Sequence, residues 1–183
     1  DGVLAGFLPY VAEKLGLDLS KQTTWSLDSF DLDARKSTVA LMQRPATWVE
    51  LPVIPGAKEA VNRLTDKGVP VCFITAMHSQ WYQLRSWWLG HHFRKALLGK
   101  AVELYCSPAG EPKSVLLGQA GVTHFLEDRL ANAEEIAAAG FKSFIVPTSY
   151  MGHPRSAVTV ATLKEYADSV ILDKFVEESP NAR

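Results

Sequence analysis

The sequence has little of what marks the specialised protein classes. Its 183 residues include only two cysteines, Cys72 and Cys106, too few for a disulfide framework or a zinc cluster. Cys72 lies inside an apolar run, where a small core residue belongs. No apolar stretch approaches the roughly 20 residues that cross a bilayer, and the opening residues carry no secretory leader pattern. Charge of one sign is not in excess either: 19 Lys and Arg balance 20 Asp and Glu, for a net charge of −1. With no basic field to neutralise phosphates, a nucleic-acid polymer is an unsuitable partner. Repeats and low-complexity segments are absent. These absences point to a reducing, cytoplasmic setting, without membrane attachment, and leave a homodimer open.

What is present is an ordinary globular composition, 47% apolar and 21% charged, in a chain long enough for one well-buried domain and a small insertion. The feature that organises it is Val122-Thr123-His124-Phe125-Leu126-Glu127-Asp128-Arg129. A short apolar run ends in two adjacent carboxylates, and a helical pattern over 131–139 follows, stopped by Gly140. Read as a strand, it sets two anions at the carboxyl edge of a sheet, where open α/β folds bind their ligands. Crowded carboxylates repel, and a hard cation such as Mg²⁺ is the natural third party. The alternative is an acidic turn that merely caps the following helix.

A second apolar run, 69–74, has strand length and ends in the hydroxyl of Thr75. A third strand is expected at 101–105 and a fourth at 141–146. Helices are expected at 4–15, closed by Gly16, and at 57–67, 79–97, 113–119 and 161–175. Strands that alternate with helices and are apolar throughout imply a Rossmann-like, mainly parallel sheet with helices on both faces. Right-handed crossovers then bring Thr75 and Glu127-Asp128 to one edge. Lys113 opens its helix against the helix dipole, which suggests a site residue outside the core; the alternative is a plain surface lysine. The adjacent pair His91 and His92 would point about 100° apart on a helix and makes a poor metal site.

Between 17 and 51 the pattern loosens into short amphipathic pieces rich in aromatics: Trp25, Phe30 and Trp48. The segment reads as a small helical cap whose aromatics form its own mini-core or contact a ligand. It divides the core domain into 1–16 and 52–183.

Taken in order, Asp1-Gly2-Val3-Leu4, a strand ending in Thr75, the isolated Lys113 and the strand ending in Glu127-Asp128-Arg129 resemble the four motifs of the haloacid dehalogenase superfamily of phosphatases. The stretches Asp1 to Phe7 and Val49 to Ala57 are similar to the 5'(3')-deoxyribonucleotidases, which carry a small helical cap inserted after the first motif. The resemblance implies a Mg²⁺-dependent phosphomonoesterase acting through an aspartyl-phosphate, on a small-molecule phosphate ester and chiefly a (deoxy)nucleoside 5'-monophosphate. By motif, Asp1 becomes the general acid and base and a metal ligand through its carbonyl. Thr75 and Lys113 become the phosphate-binding and catalytic partners, and Asp128 with Glu127 the late metal site. Phe7 matches an aromatic that contacts the base. Ala76 falls at a phosphate-binding position where the nucleotidases carry a serine, and Gly6 falls where they carry an aspartate. Trp25 and Trp48 are the cap's candidate substrate contacts. The nucleophilic Asp is expected two residues before Asp1. Without it, a phosphatase-like binding protein is the alternative, and a different small phosphate ester is the other.

Overall fold

Ala5 and Gly6 fasten the start of the chain. Ala5 forms an antiparallel bridge with Val53, the Gly6 N–H donates to the Pro52 carbonyl at 2.8 Å, and the Ile54 N–H donates to the Leu4 carbonyl at 2.9 Å. This pairing is why the first helix, α1 (Phe7–Leu15), begins later than its apolar spacing alone predicts. Gly16 ends α1 in the left-handed region at φ 65°, a conformation that costs glycine nothing. The computed structural model describes residues 2–22, 30–98, 103–107, 111–147 and 154–177. Asp1 and Trp25, two of the predicted site residues, lie outside them.

After a 3-10 turn at Leu19–Lys21, α2 (Leu32–Met42) is capped by Asp31, whose carboxylate accepts the Ala34 N–H at 2.7 Å. A short α3 (Pro45–Glu50) opens with proline at a position where no N–H is needed. The core elements then alternate. They are α4 (Ala57–Asp66), β1 (Phe73–Thr75), α5 (Tyr82–His92), α6 (Arg94–Leu97), β2 (Leu104–Cys106), α7 (Lys113–Gln119), β3 (His124–Glu127), α8 (Leu130–Ala138), β4 (Lys142–Ile145), β5 (Val158–Thr159) and α9 (Leu163–Glu177).

All strand pairs are parallel, as buried apolar strands joined by helices should be. β1 pairs with β2, placing Thr75 opposite Cys106. β3 pairs with β4, and β4 with β5. Among the described residues these form two separate sheets, β1-β2 and β3-β4-β5. Adjacent side chains of β4 identify what covers each face, because neighbours on a strand point to opposite sides. The Phe144 ring meets Tyr166 of α9 at 5.2 Å, whereas Ile145 packs with Ala133 of α8. Helices α8 and α9 therefore lie on opposite faces, as the alternating pattern predicts.

Two expectations need correction. The helix foreseen over 79–97 is broken: a 3-10 turn at Ser79–Trp81 precedes α5, and the chain turns at Phe93 before α6. Phe93 is buried against Trp88 and Phe73, with ring centroids 5.9 and 6.0 Å away, and this inward anchor interrupts the helix. Of the cap aromatics, Trp48 is not enclosed by the cap alone. Leu41, Trp48 and Leu51 belong to one buried cluster with Tyr10, Val11 and Trp88, and the Trp88 indole N–H donates to the Leu51 carbonyl at 2.9 Å. Some thirty residues cannot enclose a tryptophan unaided, and Leu41, Trp48 and Leu51 share the main core.

Candidate active site

The carboxyl edge of the strands gathers polar groups that would be costly to bury elsewhere. Thr75 ends β1 and is buried. Glu127 ends β3, only 2% exposed. Lys113 is the first residue of α7 and 8% exposed. A cation at a helix start faces the positive end of the dipole, and burial removes its hydration as well. Glu127 offsets both costs: Lys113 Nζ donates to Glu127 Oε2 at 2.5 Å. The ammonium also lies 5.4 Å from the centre of the Phe125 ring.

Glu127 is held on every side. Its Oε1 accepts the main-chain N–H of Asp128 at 3.1 Å and of Arg129 at 3.3 Å. Its Oε2 accepts Asn132 Nδ2 at 3.3 Å besides the lysine. Burial by itself would raise this carboxyl, but the Lys113 charge and the donated hydrogen bonds bring it down to about 2. It is a fixed anion at any ordinary pH.

Asp128 behaves oppositely. Burial, the hydrogen bonding around Glu127 and the Glu127 charge raise its carboxyl. Its Oδ2 lies so close to Gly2 that a Cβ at position 2 would overlap it. The chain at Gly2 therefore runs directly over the carboxylate that follows β3, and glycine is the residue that permits it. The buried lysine is committed to Glu127, so a cation placed at Asp128 would relieve the strain of holding two adjacent carboxylates. Oxygen donors of this kind suit a hard divalent ion. Among the described residues no three His, Cys, Asp or Glu side chains cluster as a ready metal site.

Thr75, Lys113, Glu127 and Asp128 all line a cavity of about 390 Å³ to which Val3 and Leu4 also contribute. Of the other predicted residues, Ala76, Trp48 and Phe7 are described and are not among its lining. Ala76 is exposed and does not line the cavity. Trp48 is 4% exposed, and its indole N–H donates to the Met42 carbonyl at 3.0 Å. Its ring stacks on Phe7, 6.2 Å between centroids and 12° between planes. Phe7 is half-buried, so it has surface to offer, with Trp48 as its backing. His91 stacks on Trp87 at 5.1 Å and meets His92 edge-on, a packing arrangement.

Three residues escaped the sequence reading. Asn132 completes the Glu127 shell; the available signal was a polar side chain among alanines in the first turn of α8. Ser107 follows β2 beside Thr75, donating its N–H to the Thr75 carbonyl at 2.8 Å and its hydroxyl to the Glu111 carbonyl at 3.1 Å. Arg85 is 3% exposed, lines the same cavity and lies over the Trp88 ring at 4.3 Å. Burial lowers its guanidinium to about 10. A lone charge on a helix otherwise striped with aromatics was its only mark.

A HAD family hydrolase from Deinococcus radiodurans, solved with bound phosphate and sodium, superposes on this chain with a TM-score of 0.56, covering 92% of this chain and 87% of its own, at 16% identity. This chain shares its fold. A dehalogenase solved as an intermediate complex is similar at a TM-score of 0.49 and 16% identity, covering 87% of this chain and 77% of its own. No protein-family model matches the sequence, and no curated protein matches it. The Rossmann-like α/β class expected from the alternating pattern is therefore the class observed. Among the described residues no helix is long and apolar enough to cross a membrane.

Proposed function

We propose that this chain is the core of a Mg²⁺-dependent phosphomonoester hydrolase of the haloacid dehalogenase type, acting on (deoxy)nucleoside 5'-monophosphates in the cytoplasm. The observation that carries the reading is the division of labour at the end of β3. Lys113 and three further donors hold Glu127, and Asp128 is left against the first-motif loop. The phosphate bound in the Deinococcus hydrolase of the same fold supports a phosphate ester as the ligand class.

In this reading Asp128, together with Asp1, would hold Mg²⁺, which when bound would screen the charge of the phosphoryl oxygens. A carboxylate two positions ahead of Asp1 attacks phosphorus. The bond to the leaving oxygen breaks, and Asp1 delivers its proton to that oxygen. Asp1 then takes a proton from water. The water oxygen displaces the carboxylate from phosphorus, releasing inorganic phosphate and restoring the enzyme. Thr75 and Lys113 balance the phosphoryl oxygens; Lys113 does so from a position already fixed by Glu127, which limits reorganisation during the reaction. Phe7 offers a flat face to a base, worth ~1–3 kcal/mol where nucleobases stack on aromatics.

The test is phosphate release by the protein from nucleoside monophosphates and from glycerol phosphate, with Mg²⁺ and with EDTA. Metal-dependent turnover with a preference for the nucleotide supports the whole reading. Metal-dependent turnover that favours glycerol phosphate would transfer it to another small ester. Turnover indifferent to EDTA would overturn the metal assignment, and absence of turnover on every phosphate ester would leave a binding protein.

A further inference from the structure

The near-zero net charge of the chain is an average that conceals a segregated stretch. Residues 67–102 hold five Lys and Arg and no Asp or Glu. Helices α5 and α6 occupy its centre and form one arm despite the turn at Phe93. The Phe93 N–H donates to the Leu89 carbonyl at 2.9 Å, and the Leu97 N–H to the Phe93 carbonyl at 3.1 Å. Burial keeps one helical period across the turn. Arg85, Trp88, Leu89, Phe93 and Ala96 are buried, whereas Trp87, His91, Arg94, Lys95 and Leu98 are exposed. At about 100° per residue, Leu98 returns to within about 20° of Trp87. The outer face is thus apolar along its centre, with Arg94 on one side and His91 and Lys95 on the other.

The two apolar residues of that face have no packing reason to be there. Trp87 is 55% exposed and Leu98 78%, which forfeits the stabilisation that burial brings to side chains of this size. Leu98 adds a backbone cost, since its φ of 47° lies in the left-handed region that favours glycine. The surroundings of the arm are positive as well. Burial lowers the His92 imidazole, and the charges of Lys58 on α4, His91 and Arg85 lower it further. The carboxylates of the elements packed against the arm are turned to other partners. Glu50 of α3 accepts the Tyr10 hydroxyl at 2.9 Å. On α4, Glu59 shares a face with Arg63, which pairs with Asp168 of α9, so the acidic side of α4 faces α9.

We infer that the outer face of α5 and α6 docks on a membrane surface carrying anionic lipids, with Trp87 and Leu98 entering the interface and Arg94, Lys95 and His91 at the headgroups. Exposed apolar side chains flanked by cations match a partner that is anionic at its surface and apolar beneath it. Long basic side chains hold their charge at headgroup level, and tryptophan favours the same level. A single-stranded nucleic acid fits less well. It would use the flat face of Trp87, but His91 already stacks on that ring at 5.1 Å and 9°, and Leu98 has no π face to offer a base. A stable protein interface takes roughly 20–30 residues a side, and this ridge is one helix wide. The arm would lie on the membrane; among the described residues no helix is long and apolar enough to cross one. None of these five side chains lines the cavity of the candidate site, so this inference and the phosphatase reading can fail separately.

The test is sedimentation of the protein with vesicles of equimolar phosphatidylcholine and phosphatidylglycerol, beside vesicles of phosphatidylcholine alone. Binding is expected to the anionic vesicles only, and it should weaken as salt is raised. Arg94→Gln combined with Lys95→Gln should weaken it about 30-fold, at about fivefold for each charge near an anionic surface. Leu98→Gly should weaken it at least about fivefold. Its melting temperature should hold or rise, because glycine adopts the left-handed backbone freely, which separates lost contact from lost folding. Tryptophan emission should shift to the blue on anionic vesicles in the wild type and not in Trp87→Phe. Equal binding to the two kinds of vesicle, binding to neither, or wild-type binding by the double variant or by Leu98→Gly would overturn the inference. So would capture of a single-stranded oligonucleotide by this face that anionic vesicles do not compete away.

Discussion

Replacing Lys113 with alanine separates what the residue does for the fold from what it does for the site. On sequence alone the lysine belongs to the site and its loss should spare the fold. Its 8% exposure and its 2.5 Å pairing with Glu127 reverse that expectation. Removing one partner of a buried pair leaves the other charge without compensation, typically a loss of about 3–5 kcal/mol. Here Asn132 and two main-chain amides still donate to Glu127, and the freed carboxyl can take up a proton, so the lower end, about 3 kcal/mol, is expected. In a chain of this length each kcal/mol moves the melting temperature by about 2–4 °C, giving a fall of about 6–12 °C. The double variant Lys113→Met with Glu127→Gln should lose less than the two single variants added together, because no unpaired charge remains.

The pH dependence carries the sign of the same pair. The Glu127 carboxyl is held at about 2, below its ordinary 4.5, so its contribution is fully present above pH 4.5 and is lost as the pH falls toward 2. The raised Asp128 carboxyl acts in the opposite direction; an Asp128→Asn background isolates the Glu127 contribution. Urea melts of the wild type and variants across this range measure both quantities. A loss below about 1 kcal/mol in Lys113→Ala, or additive single variants, would refute a stabilising buried pair.

Three further outcomes follow from the geometry. Asp128→Asn should lower kcat/KM by at least about 10²-fold while leaving the melting temperature unchanged or higher, since burial disfavours the charge it removes; steady-state kinetics beside a thermal melt checks both. Gly2→Ala places a methyl group against Asp128 Oδ2 and should cost about 10²-fold in turnover by misplacing that carboxylate, with a near-normal melt; wild-type turnover would mean the loop does not need its closeness. Phe7→Leu should raise KM for a nucleoside monophosphate and leave glycerol phosphate unaffected, whereas Trp48→Leu should cost about 2–4 kcal/mol of stability through lost packing and an orphaned Met42 carbonyl, with equal effects on the two substrates.

How far the sequence was legible depends on the range of the interaction that decides each feature. Helix α7 was readable closely, from about Lys113 to about Gln119, because its limits are set by local signals such as Pro112. The anionic end of β3 was readable for the same reason. What Glu127 does was not, because its partner stands 14 residues away and is brought in only by the placement of α7. The two carboxylates look equivalent in the sequence and are unlike in the structure, one neutralised by a lysine and the other pressed against Gly2. β5 was missed since it is two residues long and both are exposed, which leaves no pattern to read. The strand at β1 was foreseen as 69–74 and is Phe73–Thr75. The difference is instructive: hydrophobicity marks which residues are suited to burial on both faces, whereas a strand exists only where a neighbour accepts its hydrogen bonds. Val71, Cys72 and Ile74 have the first property, and on their outer side no described strand supplies the second.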